Sequence, residues 1–208
     1  MISDIDIAAP LAAMLFLSLC MGMVACFAVI VQASLTRHPE RARRALVALL
    51  TGCGLYVLVL LGYSSFSKER VLGRGVEKYF CELDCHLAYS IASVEHQGDR
   101  LLVKLRTRFD ETTISARRPK DVPLTPNQRE LYLVDEEGGT HAPERVAMRN
   151  NPPLSTPLEP GESYETLYVF IVPRNAGGKL FLQNEPWPSS LLIGHENSPL
   201  HRKVYFQL

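Results

Sequence analysis

The stretch IAAPLAAMLFLSLCMGMVACFAVIVQASLT, residues 7–36, runs for thirty residues without a charged side chain, and ALVALLTGCGLYVLVLLGYSSFS, residues 45–67, adds twenty-three more. A helix crosses the hydrocarbon core of a bilayer with about 20 apolar residues, because it satisfies its own backbone hydrogen bonds and rises about 1.5 Å per residue. Both runs are long enough. They predict spanning helices at about residues 10–33 and 45–64, with Pro10 in a first turn, where its missing N–H costs little. Between them Arg37, Arg41, Arg43 and Arg44 face the single acid Glu40, so residues 1–65 read as a transmembrane helical hairpin.

A secretory signal peptide is the competing reading of the first run. It would begin with a basic segment ahead of a shorter apolar stretch, whereas this chain begins with Asp4 and Asp6. Lys and Arg concentrate on the cytoplasmic side of short loops. The four arginines therefore predict an inner (cytoplasmic) membrane protein with its hairpin loop inside and both chain ends on the periplasmic side. Lys68, Arg70, Arg74 and Lys78 pull the other way.

Neither run contains an ionisable side chain other than cysteine and tyrosine, which argues against an ion pathway or proton relay within these helices. Cys20, Cys26 and Cys53 read as small hydrophobes. Small residues recur at intervals of four, Ser18, Gly22 and Cys26 in one helix and Ala48 and Gly52 in the other. Such faces let helices approach closely in lipid, either within the hairpin or against another protein.

Averages over the chain hide this division. The 208 residues carry 22 basic and 22 acidic side chains, with a mean hydropathy of +0.02. Residues 1–65 contain four arginines and three acids, leaving 18 basic and 19 acidic side chains for the remainder. A nucleic-acid partner is not expected, because phosphate binding needs a gathered surplus of Lys and Arg.

Residues 66–85 read as a linker carrying a cysteine pair, and residues 86–208 as a periplasmic all-β domain. Strand candidates are 86–95, 101–109, 129–135, 163–172, 179–183 and 203–208. The second alternates cleanly: Leu101, Val103, Leu105, Thr107 and Phe109 on one face, Lys104, Arg106 and Arg108 on the other. Gln97-Gly98-Asp99 supports a hairpin turn before it. Short strands separated by Pro, Gly, Asn and Asp clusters argue for a two-sheet immunoglobulin-like sandwich. The fold class expected is thus α+β, with a small barrel as the alternative for the β part.

Val134-Asp135 through Gly139, the turn Leu158-Glu159-Pro160-Gly161-Glu162, and the strand end Phe170 to Pro173 resemble bacterial immunoglobulin-like domains of unknown function carried on lipoproteins and membrane anchors. The resemblance covers about residues 91–183. It implies the fold and no activity, since sandwiches host many functions. The double-spanning anchor and an insertion around residues 117–125 depart from that plan.

One constellation could carry chemistry: Cys81-Glu82-Leu83-Asp84-Cys85-His86. Two cysteines four apart can be bridged if the chain turns to bring their Cα atoms within about 7 Å. In an oxidising compartment a structural disulfide is the preferred outcome. Copper is an alternative, because soft thiolates and imidazole suit it. Cys81, Cys85 and His86 would then be joined by His195 or His201 of GHENSPLH. The oxidase-type dinuclear copper pattern is absent, with Tyr89 and Ala92 at its later positions. Covalent haem c on Cys-x-x-x-Cys-His is a further reading, and thiol–disulfide exchange another, opposed by Glu82 and Asp84, which would raise a thiol pKa. His38, His96 and His141 read as solvated. Asp110-Glu111 and Asp135-Glu136-Glu137 lack calcium-loop spacing. No catalytic constellation is suggested, and no cofactor is expected.

Three functions follow as expectations. The first is a non-catalytic accessory subunit that assembles or stabilises a larger membrane electron-transfer complex, respiratory or photosynthetic, in contact with lipid and with integral membrane subunits. Proline-rich stretches at residues 117–126 and 186–188 would lie on a partner. The second is periplasmic copper or thiol handling, and the third is a ligand-binding or sensor module.

Overall fold

A computed structural model describes residues 2–81, 85–114, 119, 121–127, 129–144, 155–172, 177–183 and 187–208. Two compact units emerge. One comprises Met1–Ile5, Lys68–Pro186 and Lys203–Leu208, the other Asp6–Ser67 and Trp187–Arg202.

The second unit contains α1 (Ala9–Leu35) and α2 (Pro39–Ser65), each of 27 residues and each apolar enough to cross a membrane. They pack on each other. The arginine-rich loop expected between them shrinks to a turn at Thr36, Arg37 and His38, with Arg37 at φ 56°. Arg41, Arg43 and Arg44 instead form the first turns of α2. Pro39 presets the backbone there, Glu40 complements the positive end of the helix dipole, and Arg and Ala are strong helix formers. From Ala42 to Leu60 the less exposed positions of α2 are Ala42, Ala45, Leu49, Cys53, Tyr56 and Leu60, a stripe at steps of three and four that widens to Leu61, Gly62 and Ser64 near the helix end.

Among the described residues the first unit is a sandwich of ten strands: β1 (Ile2–Ser3), β2 (Arg70–Leu72), β3 (Lys78–Phe80), β4 (Leu87–Gln97), β5 (Arg100–Phe109), β6 (Glu130–Asp135), β7 (Thr140–His141), β8 (Ser163–Ile171), β9 (Gly178–Gln183) and β10 (Val204–Gln207). One sheet has the order β1-β3-β4-β5-β8, the other β2-β10-β9-β6-β7. β4, β5 and β8 occupy the places of strands A, B and E of an immunoglobulin sandwich, and β6, β9 and β10 those of C, F and G.

The two sheets bury one apolar core between them. Phe80, Tyr89, Ile91, Leu101, Val103, Leu105, Phe109, Tyr168 and Phe170 come from one face, and Leu131, Leu133, Leu180, Leu182 and Phe206 from the other. The alternation read in residues 101–109 is the alternation of burial along β5. Gln97 pairs with Arg100, leaving Gly98-Asp99 as a two-residue turn with Gly98 at φ 69°, a conformation open to glycine at no steric cost.

Two expected boundaries are corrected. Residues 66–85 are not a free linker, because β2 pairs with β10 and β3 with β4. These strands are three residues long, too short to show alternation, and form because longer strands offer them open edges. Trp187–Arg202, assigned from sequence to the β domain, belongs to the helical unit. The proline stretch at 117–126 falls partly outside the described residues.

Candidate functional site

The cysteine pair is a disulfide. Cys81 follows β3, Cys85 precedes β4, and their Cα atoms lie 4.2 Å apart. The bridge thus ties two antiparallel neighbours at the point where the chain reverses. Asp4, one residue beyond β1, holds the same corner: its backbone N–H donates to the Tyr79 carbonyl at 3.0 Å and its Oδ1 accepts from the Cys81 N–H at 3.0 Å. Glu82, Leu83 and Asp84 lie outside the described residues. A Cys81→Ser, Cys85→Ser double variant is expected to lose about 2 kcal/mol, since a cross-link spanning so few residues removes little chain entropy. Urea unfolding of the oxidised protein against the variant checks this.

His86 is buried against the Phe109 ring, with centroids 5.8 Å apart. Thr113 donates its hydroxyl hydrogen to the Asp110 carbonyl at 2.7 Å, so its oxygen accepts from His86 Nδ1–H at 2.6 Å. The imidazole is thereby committed to a structural bond.

Behind it lies a polar network that sequence reasoning did not assemble. Arg108 grips Glu77 with two bonds of 2.7 Å and reaches Asp110 Oδ2 at 3.2 Å. Tyr79 donates its hydroxyl to the same Asp110 oxygen at 2.5 Å. Asp110 Oδ1 caps the 3-10 turn Glu111–Thr113, accepting from the Thr112 N–H at 3.0 Å and its hydroxyl at 2.7 Å. Burial alone would raise the Asp110 carboxyl, but bonds from Tyr79, Thr112 and Arg108 outweigh it and hold the group well below the usual carboxylate range. Burial, followed by the bond to Asp110, pushes the Tyr79 phenol up. The bond from Arg108 holds Glu77 down.

Because its folded pKa is depressed, Asp110 contributes stability that is present above its unfolded value, near 3.9, and lost as pH falls through the folded one. Asp110→Asn is therefore expected to cost about 2 kcal/mol at neutral pH, in line with a charge-assisted bond. The penalty should shrink below about pH 4, as measured by urea midpoints across pH. A penalty independent of pH would contradict this account.

Among the described residues the interior also holds two cations that the strand pattern gave no reason to expect. Lys78 donates to the Val204 carbonyl at 3.2 Å and lies 4.7 Å from the centre of the Phe80 ring. Arg129 donates to the Tyr89 hydroxyl at 2.7 Å and lies 4.4 Å from the same ring. Aromatic faces attract cations, and the interleaving of Lys78 with Phe80 was the available signal.

The metal expectation finds no donor set. Cys81 and Cys85 are consumed in the bridge, and among the described residues no group of three His, Cys, Asp or Glu side chains converges. Thioether attachment of haem c would need both thiols as well. His195 accepts the Asn197 N–H at Nδ1, 3.0 Å away. His201 donates from Nδ1 to the Arg202 carbonyl at 2.8 Å, with Nε2 3.4 Å from Asp6. His38 and His96 are exposed, but His141 binds Asp135 at 2.8 Å instead of being merely solvated.

The helical unit carries the other candidate surface. Leu11, Met14, Leu17, Met21, Val24 and Phe27 of α1 and Leu46, Leu50, Leu55 and Leu58 of α2 are all exposed. Ser18, Gly22, Ala48 and Gly52 are exposed too, and only Cys26 is half-buried. A Cβ added at Gly22 or Gly52 would meet nothing within 4 Å. The small-residue stripes therefore do not form the hairpin seam, which runs on the face of α2 bearing Ala45, Leu49 and Cys53.

No protein-family model matches the chain, and no curated protein does. Among solved structures, the fold is similar to MPT63, a secreted protein from Mycobacterium tuberculosis, at a TM-score of 0.41 and 10% identity. The likeness covers 70% of this chain and 100% of that one.

Proposed function

We propose that this chain is a non-catalytic accessory subunit, anchored in the cytoplasmic membrane by α1 and α2, that assembles or stabilises a larger membrane complex of the electron-transfer type. The observation that carries the reading is the exposure of large apolar side chains on both 27-residue helices. Water would leave that surface unpaid for, at roughly 25 cal/mol per Å2, whereas lipid and neighbouring helices cover it at no such cost. The outward-facing stripes at Gly22 and Gly52 suit close approach by a helix of another subunit. An oxidised Cys81–Cys85 pair suits a periplasmic sandwich, with Arg37, Arg41, Arg43 and Arg44 on the cytoplasmic side.

The test is purification of the tagged full-length chain in mild detergent. Migration with integral membrane partners, far above its own mass of 23.3 kDa, is the expected result. A chain that runs alone would sink the proposal. The visible spectrum of the co-purified complex tests its type, because a colourless partner would remove electron transfer from the reading.

A further inference from the structure

Trp187–Arg202, the chain between β9 and β10, climbs along α2 in the helical unit. The Tyr56 hydroxyl donates to the Leu191 carbonyl at 2.7 Å. Gly194, at φ 79°, lies so close to Tyr63 that an added Cβ would stand 3.2 Å from its ring. The Arg202 N–H donates to Ser67 Oγ at 2.7 Å. Residues 191, 194 and 202 thus meet the side chains of successive positions 56, 63 and 67.

Tyr56 precedes Ser65, the last residue of α2, by nine residues, or about 14 Å along the axis. The uncharged part of α2, residues 45–65, spans about 31 Å, which matches a hydrocarbon layer of about 30 Å. If α2 crosses the bilayer, as the proposed function holds, the level of Leu191 falls within the outer half of that layer.

Irregular backbone survives at such depth only when its polar groups are satisfied, and six of the hydrogen bonds that the segment's backbone makes stay within the unit. Leu191 N–H donates to the Pro188 carbonyl at 2.9 Å, Leu192 N–H to Ser189 at 3.1 Å, and His195 N–H to Leu192 at 3.3 Å. Ser198 Oγ also donates to the Leu192 carbonyl, and the Gly194 carbonyl accepts from the Asp6 N–H at 2.8 Å. Residues 187–194 carry no charge, and Pro188 has no N–H to satisfy. Trp187 is 67% exposed. Trp is enriched where an amphipathic ring meets the boundary between headgroups and acyl chains.

We infer that residues 187–193 form a re-entrant segment that enters the outer leaflet beside α2 and contacts lipid through Trp187. The chain then meets the bilayer at three places instead of two. This inference rests on the spanning reading of α2, and the segment becomes the means by which the β9–β10 connection is held to the membrane.

Trp187 is the only tryptophan, so the unmodified chain carries its own probe. The full-length protein is reconstituted in phosphatidylcholine–phosphatidylglycerol vesicles, with and without phosphatidylcholine brominated on the upper acyl carbons. Emission shifted to the blue, quenched several-fold by the brominated lipid and little affected by aqueous iodide, is expected. Strong iodide quenching without a bromine effect would overturn the inference. Blue-shifted emission untouched by either quencher would overturn it too, since protein would then cover the ring. Tyr56→Phe keeps the ring but removes the donor to Leu191. It is expected to weaken bromine quenching and admit iodide, and an unchanged profile would overturn the assignment of Tyr56 as the tether. Release of the unaltered chain from vesicles by alkaline carbonate is a separate outcome, which would sink the spanning reading itself.

Discussion

Leu55→Arg is expected to abolish stable membrane insertion. Leu55 lies near the middle of the uncharged part of α2 and is 62% exposed. At that depth leucine favours insertion by about 0.5 kcal/mol, whereas arginine opposes it by about 3 kcal/mol. The difference amounts to a factor of several hundred in the insertion equilibrium. The experiment is alkaline extraction of membranes from cells expressing each chain, with the variant moving to the extracted or degraded fraction. The sign is what makes the test decisive. On a helix surrounded by water, replacing an exposed leucine with arginine would be neutral or would raise solubility, so a fully functional, soluble variant would contradict the membrane reading. Ile171→Arg, at a 60% exposed position on β8 of the sandwich, is the matching control. It is expected to change stability by no more than about 0.5 kcal/mol.

The second large effect is expected in the sandwich. Phe109 ends β5 with no exposed surface, packs within the core shared by both sheets, and stacks against His86. Its backbone N–H donates to Glu162 at 3.0 Å, and its carbonyl accepts from Gly161 at 3.0 Å. Phe109→Ala would leave a cavity bounded on both sides by sheets that cannot collapse together, at a cost of about 3–5 kcal/mol. For a domain of this size that corresponds to a fall in melting temperature on the order of 10–15 °C, read from the β-sheet signal in circular dichroism. An unchanged midpoint would show that the core does not pack as described.

How much of this was legible in the sequence depends on the length of each element. β4, β5, β6, β8, β9 and β10 were expected nearly in place, because each is long enough for a period of two to emerge. β1, β2, β3 and β7 were missed; two or three residues display no period, and such strands exist only because a neighbour offers unpaired backbone groups. The start of α2 was placed six residues late. The uncharged run begins at Ala45, whereas the helix begins at Pro39 and Glu40, which are its start signals.

Residue types at Cys81 and Cys85 told of a bridge, since proximity in sequence limits how far apart two cysteines can be. The Glu77–Arg108–Asp110–Tyr79 network was not visible in the same way. Glu77 and Tyr79 lie at β3, Arg108 and Asp110 at the end of β5, and β4 stands between those strands in the sheet order.

By itself the sequence determined that this chain divides into two long helices built on uncharged runs and a β-rich remainder, because hydrophobic run length and alternation are local properties set by the geometry of each element. It also determined that the charge balance describes neither part. Only the tertiary structure decided which face of each helix forms the hairpin seam and where the small residues Gly22 and Gly52 point. It alone assigned Trp187–Arg202 to the helices instead of the sandwich. A hydrogen bond between Tyr56 and Leu191, 135 residues apart, goes with that last assignment, and no local pattern encodes a contact between residues so distant in the chain.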